Sequence, residues 1–239
     1  MKIFDGLYPF EMVLLVLGVL FFLVLLVAFA LLVVRGKPFG KLFAFFVIPV
    51  AMVGFPGIKS IEFSNSVVKI EKATHELQAN PTDKKLRESL DKELANVSAR
   101  PLSNPQDSVT VARAQVALGN NAAAEENLKK ALAVNPQLPE ALELKKRIDL
   151  DTKLAELTSQ AEQKPENAAV KSKLTNTVNE IVTFKTANPL TISNIARAQA
   201  VLGDQVKAQE NVAKVLRINP KLAPIQLMNK PGISMVPPK

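Results

Sequence analysis

The sequence predicts an all-α protein, with two N-terminal transmembrane helices followed by a helical solenoid made of a duplicated 84-residue module. Three observations predict it. Two long uncharged runs stand within the first 58 residues. In the remainder, a set of residue pairs recurs at a constant spacing of 84. Apolar residues there repeat at i, i+3, i+4 and i+7, and no segment alternates apolar and polar residues as a half-buried strand does.

The first run, Met12 to Val34, holds 23 residues without a charge. As a helix it reaches about 34 Å, enough to cross a hydrocarbon core. A cleaved signal peptide has a shorter apolar region ending in a small-residue site. Here Ala28 and Ala30 are followed by more Leu and Val, so an uncleaved helix is expected. The second run, Leu42 to Ile58, is interrupted by Pro49, Gly54, Pro56 and Gly57. It is expected to be a kinked second span, with a re-entrant or interfacial segment as the rival. Ten of the twelve Phe residues precede position 56, so residues 1–59 form a Phe-rich hairpin domain.

Between the runs, Arg35, Lys37 and Lys41 stand in a short connection free of acids. By the positive-inside rule they are the topology determinants and place this loop in the cytoplasm. The protein is then integral to a bacterial-type cytoplasmic membrane, with the C-terminal part extracytoplasmic. Lys59, Lys69 and Lys72, just past the second run, keep the cytoplasmic alternative open.

Beyond the hairpin, Asn104-Pro105 recurs as Asn188-Pro189, Ala112-Arg113-Ala114-Gln115 as Ala196-Arg197-Ala198-Gln199, and Leu118-Gly119 as Leu202-Gly203. Glu126-Asn127 returns as Glu210-Asn211, and Asn135-Pro136 as Asn219-Pro220, without a gap. The domains are therefore module 1 at 60–138, module 2 at 139–222 and a Pro-containing tail at 223–239. Helical periodicity and the Asn-Pro and Gly breaks predict helices near 59–79, 83–97, 106–118 and 121–134. The second copy gives 138–163, 167–184, 190–202 and 205–218. A single helical hairpin cannot bury its apolar face, so neighbours must stack and the array grows as a solenoid.

The stretch Ala117 to Pro136 resembles the second half of a tetratricopeptide repeat (TPR). Gly119, Ala124, Ala131 and Pro136 fill four positions of that pattern, and Ala112 the small position of the preceding helix. Ala196, Gly203, Ala208 and Pro220 do the same in the second copy, with Val215 in place of Ala. The resemblance covers 105–138 and 189–222. Ser108, Gln115 and Leu128, with Ile192, Gln199 and Val212, stand where the family carries large aromatics, so closer helix packing is expected. The resemblance implies that the first helix of each unit lines a concave face that holds extended peptides. Arg113 and Arg197 would face it as partner-binding candidates, taking a carboxylate or backbone carbonyls. The competing reading is that both Arg residues recur only because the module was copied. Asn127 and Asn211 are expected to bond between neighbouring helices.

Composition narrows the chemistry. The chain of 239 residues has no Cys, no Trp and one His, His75. That excludes a disulfide framework, thiol catalysis and a zinc site of Cys and His. There is no nucleophile elbow, phosphate loop or dinucleotide fingerprint. No catalytic residue, cofactor or metal is therefore expected, and the protein is not read as an enzyme. The net charge of +8 is interspersed and lacks aromatics for stacking, so no nucleic acid is expected. The expected partners are the lipid bilayer and a protein or peptide held by the repeat groove, with an envelope assembly as one setting; a homo-oligomer stays open. The leading expectation is a membrane-anchored TPR-like adaptor or scaffold. The alternative is a subunit of an oligomeric channel or transporter whose helical array is a scaffold, although neither span carries an ionisable residue.

Overall fold

The computed structural model describes residues 4–38 and 40–219, and the elements among them are all helical. The tail at 223–239, with Pro220 to Leu222 of the second TPR-like unit, lies outside the described residues. In chain order the helices are α1 (Pro9–Val34), the short α2 (Gly40–Phe43) with a 3-10 turn (Ala44–Phe46), and α3 (Val47–Ala79). Then follow α4 (Lys84–Ser98), α5 (Pro105–Leu118), α6 (Asn121–Val134), α7 (Pro139–Gln163), α8 (Ala168–Ile181), α9 (Pro189–Val201) and α10 (Gln205–Ile218).

Helix α1 starts three residues before the uncharged run. Pro9 suits a first helical position because its missing N–H would have no partner there. Glu11 follows in the first turn, where a carboxylate opposes the positive end of the helix. Helix α1 and the stretch Gly40–Ala79 are long and apolar enough to cross a membrane. Val13, Leu17 and Leu20 on one, with Val50, Phe55 and Ile58 on the other, are exposed.

The two helices pack through Gly18. A Cβ there would lie 2.9 Å from Met52 Cβ and Val53 Cγ2 and 3.3 Å from the Pro49 carbonyl. Small residues at helix contacts allow this approach, which dispersion rather than hydrophobicity must drive in lipid. At the loop end, Phe22 meets Phe46 edge-on at 5.5 Å and Phe29 meets Phe43 at 5.7 Å.

The second run corrects the expected organisation. Its breakers do not end a helix at Gly57. Pro49 falls in the first turn of α3, where no donor is required, and Pro56 is carried inside the helix. The helix then continues through Lys59 to Ala79, about 50 Å in all. No separate helix begins near 59, and the expected boundary at 59/60 falls inside one rod.

The far half of that rod is core. Phe63, Val67, Ile70 and Leu77 pack with Leu90, Leu94 and Val97 of α4 and with Val111, Ala114 and Ala117 of α5. The burial on α3 recurs every three to four residues, so one face enters the stack. A second cluster joins Val109, Ala112, Ala124 and Leu128 to Leu138, Ala141, Leu144 and Ile148 of α7. A third joins α7 and α8 to Ile195 and Ala198 of α9, and a fourth holds Ala196, Ala200, Ala208 and Val212 together. Each helix pair thus shares a core with its neighbour.

Local devices repeat along the stack. Asn104 Oδ1 accepts the Gln106 N–H at 3.0 Å, and Asn188 Oδ1 accepts that of Leu190 at 2.9 Å. Gly119 and Gly203 close the α5–α6 and α9–α10 turns at φ of +96° and +87°, where a side chain would be strained. Asn127 donates to Gln115 Oε1 and Asn211 to Gln199 Oε1, both at 2.9 Å, so both Asn residues bond to the neighbouring helix as expected. Helix α8 stops at Ile181, three residues before the expected end. There the chain turns to set the Phe184 ring 5.1 Å from the Arg147 guanidinium, and the Lys185 carbonyl accepts from Arg147 Nη2 at 3.2 Å.

Candidate functional site

Two clefts of opposite charge lie in the helical stack, and the sequence-derived candidates belong to one of them or to neither. Arg113 on α5 lines a cleft of about 320 Å³. Its neighbours there include Asp5, Glu71, Asp107 and Glu140. One guanidinium among four carboxyl groups does not make a carboxylate receptor, because the surrounding field repels an anion. Arg197 lies elsewhere. Its Nη2 meets Glu162 Oε2 at 2.8 Å, with both side chains only partly exposed. The structure therefore does not bring the two Arg residues together. Arg35, Lys37 and Lys41 are exposed in the connection after α1, with Arg35 capping that helix.

The second cleft, about 660 Å³, opens between the α3–α4 turn, the 182–186 segment and the helices α9 and α10. Ile192 and Ile195 form its floor and are 4% and 5% exposed. Phe184 and Val182 extend the apolar surface. Along α10, Lys207, Glu210, Asn211, Lys214 and Arg217 follow helical spacing and present one ridge to the opening. Lys185 adds a cation from the opposite wall. Asn211 is held on the α10 ridge by its bond to Gln199; Gln199 and Gln115 are both buried, at 6% and 7% exposure, while Asn211 is half-buried and the matching Asn127 is 8% exposed.

Side chains with no counterpart in the 84-residue pattern join the helices around these clefts. Arg87, opposite Lys171 in the pattern, donates Nη1 to the Ala117 carbonyl at 3.1 Å. Its Nη2 reaches the Pro81 and Ala187 carbonyls at 3.0 and 2.8 Å. Burial pushes its pKa below the usual arginine value, yet arginine remains a cation at neutral pH. Burial does the same to Arg147, with Glu143 opposing the shift and Arg113 adding to it.

Asp151, opposite Val67, is a buried carboxylate fed by neutral donors. Its Oδ2 accepts from Thr191 Oγ1 at 2.9 Å and Asn121 Nδ2 at 3.2 Å, and its Oδ1 from Asn194 Nδ2 at 3.1 Å. Asn188 completes the knot by donating to Asn121 Oδ1 at 2.9 Å. These bonds tie the starts of α6 and α9 to the middle of α7.

A third joint fastens the hairpin to the stack. Arg100 Nη1 donates to the Gly6 carbonyl at 2.7 Å and to Glu11 Oε2 at 3.3 Å, and its guanidinium lies 5.5 Å from the Tyr8 ring centre. Tyr8 Oη donates to the Ala99 carbonyl at 2.6 Å, while its N–H bonds Glu11 Oε2 at 2.9 Å. Gly6, at φ +70°, lies so close to the Phe63 ring that a Cβ would overlap it. Leu7 and Glu11 are 0% and 2% exposed. Sequence reasoning missed Arg87, Arg100 and Asp151 because it followed recurring residues. For Arg100 and Asp151 the available signal was the opposite one, a polar residue that breaks the recurrence, since Arg100 aligns with Phe184 and Asp151 with Val67; Arg87, opposite the cation Lys171, carries no such signal.

The site and fold define a class: an all-helical chain, two of whose helices are long and apolar enough to cross a membrane, continued by a stack of helix pairs bearing clefts. Comparison with family models, curated proteins and solved structures gives no match.

Proposed function

We propose that this protein is a membrane-anchored helical-repeat adaptor of the TPR type, built from a duplicated module, that holds a partner protein or peptide. The observation that carries the proposal is the double role of α3. Its first half is the second apolar helix of the hairpin, and its second half is a core helix of the stack. A stack tethered in this way presents its clefts at a set distance from the bilayer, which suits holding a partner rather than performing chemistry on it. The recurring Gln–Asn bonds, Asn caps and Gly turns at 84-residue spacing support the duplicated module. The joint of Arg100, Tyr8 and Glu11 is a clasp that keeps the start of α1 on the same side as the stack. With Arg35, Lys37 and Lys41 cytoplasmic, the stack is extracytoplasmic, on the outer face of a bacterial cytoplasmic membrane.

The test is a photo-cross-linking amino acid placed at Thr186 in the full chain in cells. A defined protein adduct is expected. Adducts confined to lipid or to the chain itself would overturn the adaptor reading.

A further inference from the structure

We propose that the 660 Å³ cleft receives an extended segment with alternating acidic and aliphatic side chains from the partner protein. The inference rests on the adaptor reading and specifies the chemistry of what is held. Four cations, Lys185, Lys207, Lys214 and Arg217, line this cleft against one acid, Glu210. Lys207 is partly neutralised by Asp204, whose Oδ2 lies 2.8 Å away. The other three have no carboxylate in ion-pair range among the described residues. The excess is therefore a local field available to an anion, in contrast to the acidic cleft around Arg113.

Shape selects among anions. The ridge from Lys207 to Arg217 spans about 15 Å at the helical rise, the length of roughly four to five extended residues. In an extended chain successive side chains point to opposite faces. Aliphatic side chains on one face reach the Ile192 and Ile195 floor. Acids on the other meet Lys185, Lys214 and Arg217. Gln78 and Asn80 supply amide groups at the edge for the main chain.

Two other occupants fit less well. Lipid headgroups are remote, because Gln78 stands about 28 Å along α3 from Lys59, where the charged part of that helix begins. The chain's own residues 220–239 include Lys221, Lys230 and Lys239 and no acid, so the cleft's field opposes them.

The experiment uses the full chain in a mild non-ionic detergent and fluorescence polarisation of two labelled hexapeptides, Glu-Leu-Glu-Leu-Glu-Leu and Lys-Leu-Lys-Leu-Lys-Leu. The acidic probe is expected to bind and the basic one not. Lys214→Glu with Arg217→Glu should weaken the acidic probe by about tenfold or more, and Lys214→Gln with Arg217→Gln by less. Lys129→Glu with Lys130→Glu, exposed on α6, should leave binding unchanged. Raising salt should weaken the wild type and spare the reversed variant. Equal binding of both probes, or indifference to the reversal, would overturn the proposal. So would displacement of the acidic probe by a peptide of residues 220–239, or by phosphatidylglycerol vesicles that bind with the same sensitivity to the reversal. A protein cross-linked at Thr186 whose capture ignores the reversal would leave the adaptor reading standing and remove this one. Charge-sensitive probe binding without any cellular adduct would do the converse.

Discussion

The Arg100–Glu11 pair offers a direct test of whether the hairpin and the stack behave as one body. Glu11 is 2% exposed, and the Arg100 side chain keeps 20% of its surface. Removing one partner of a buried pair costs about 3–5 kcal/mol, because the other charge is left without compensation. The partial exposure of Arg100 places Arg100→Met near the lower end, about 3 kcal/mol, including the lost Gly6 contact. Glu11→Gln retains an acceptor for the Tyr8 N–H and removes the charge, so about 1–2 kcal/mol is expected. If the side chains interact as drawn, the double variant will cost less than the sum, with a coupling of about 1.5–2 kcal/mol. Tyr8 is the only Tyr and there is no Trp, so tyrosine emission reports the clasp alone. Urea titration of that signal in mild detergent gives the four free energies. Strict additivity, or an Arg100→Met transition unchanged from wild type, would refute the coupling argument.

Gly18→Leu forces α1 and α3 apart, and a loss of about 1–3 kcal/mol is expected as a lower urea midpoint of the hairpin. Arg87→Met leaves the Pro81, Ala117 and Ala187 carbonyls without their shared donor. Its expected cost is about 1.5–3 kcal/mol, and amide exchange should rise in the 182–187 segment before it does elsewhere. Gln115 and Gln199 are both buried, so either truncation leaves one amide without its partner. Asn127→Ala, at a buried position, should cost about 1–3 kcal/mol, whereas Asn211→Ala, at a half-buried position, opens a gap that surface water can enter and should cost less. Equal costs measured by urea unfolding would contradict the difference in burial.

The all-helical class, the limits of α5, α6, α9 and α10 and the hairpin were legible in the sequence because each rests on a local signal. Asn before Pro starts a helix, Gly in a left-handed turn ends one, and an uncharged run of 23 residues has few other uses. The continuity of α3 was not legible from its breakers. Pro49 falls where helices tolerate Pro, and Pro56 sits inside a helix anchored at both ends, by α1 and by the stack. Whether such a residue breaks a helix is then decided by tertiary contacts that periodicity does not contain. The same holds for the clefts. Arg113 carries the signature of a recurring motif, but Asp5, Glu71 and Glu140, which set the sign of its surroundings, come from three distant segments. The cationic cleft likewise gathers the α3–α4 turn, the 182–186 segment, α9 and α10, and only the α10 ridge has a spacing visible in one dimension.

The clasp also reduces the question of sidedness to one binary choice. Residues 5–11 bond to Ser60, Ala99 and Arg100, so the start of α1 and the stack must share a compartment. The connection holding Arg35, Lys37 and Lys41 lies at the opposite end of α1, about 39 Å away along a 26-residue helix. The chain has no Cys, so single Cys residues introduced at exposed positions label without background. With a membrane-impermeant maleimide on intact cells, Phe10→Cys and Lys164→Cys are expected to label and Lys37→Cys to be protected. The reversed pattern would overturn the extracytoplasmic placement and keep the clasp, moving every candidate partner of the clefts to the cytoplasm. Unequal labelling of positions 10 and 164 would instead break the clasp itself, because no arrangement of a hairpin with residues 5–11 bonded to the stack puts those two sites on opposite sides.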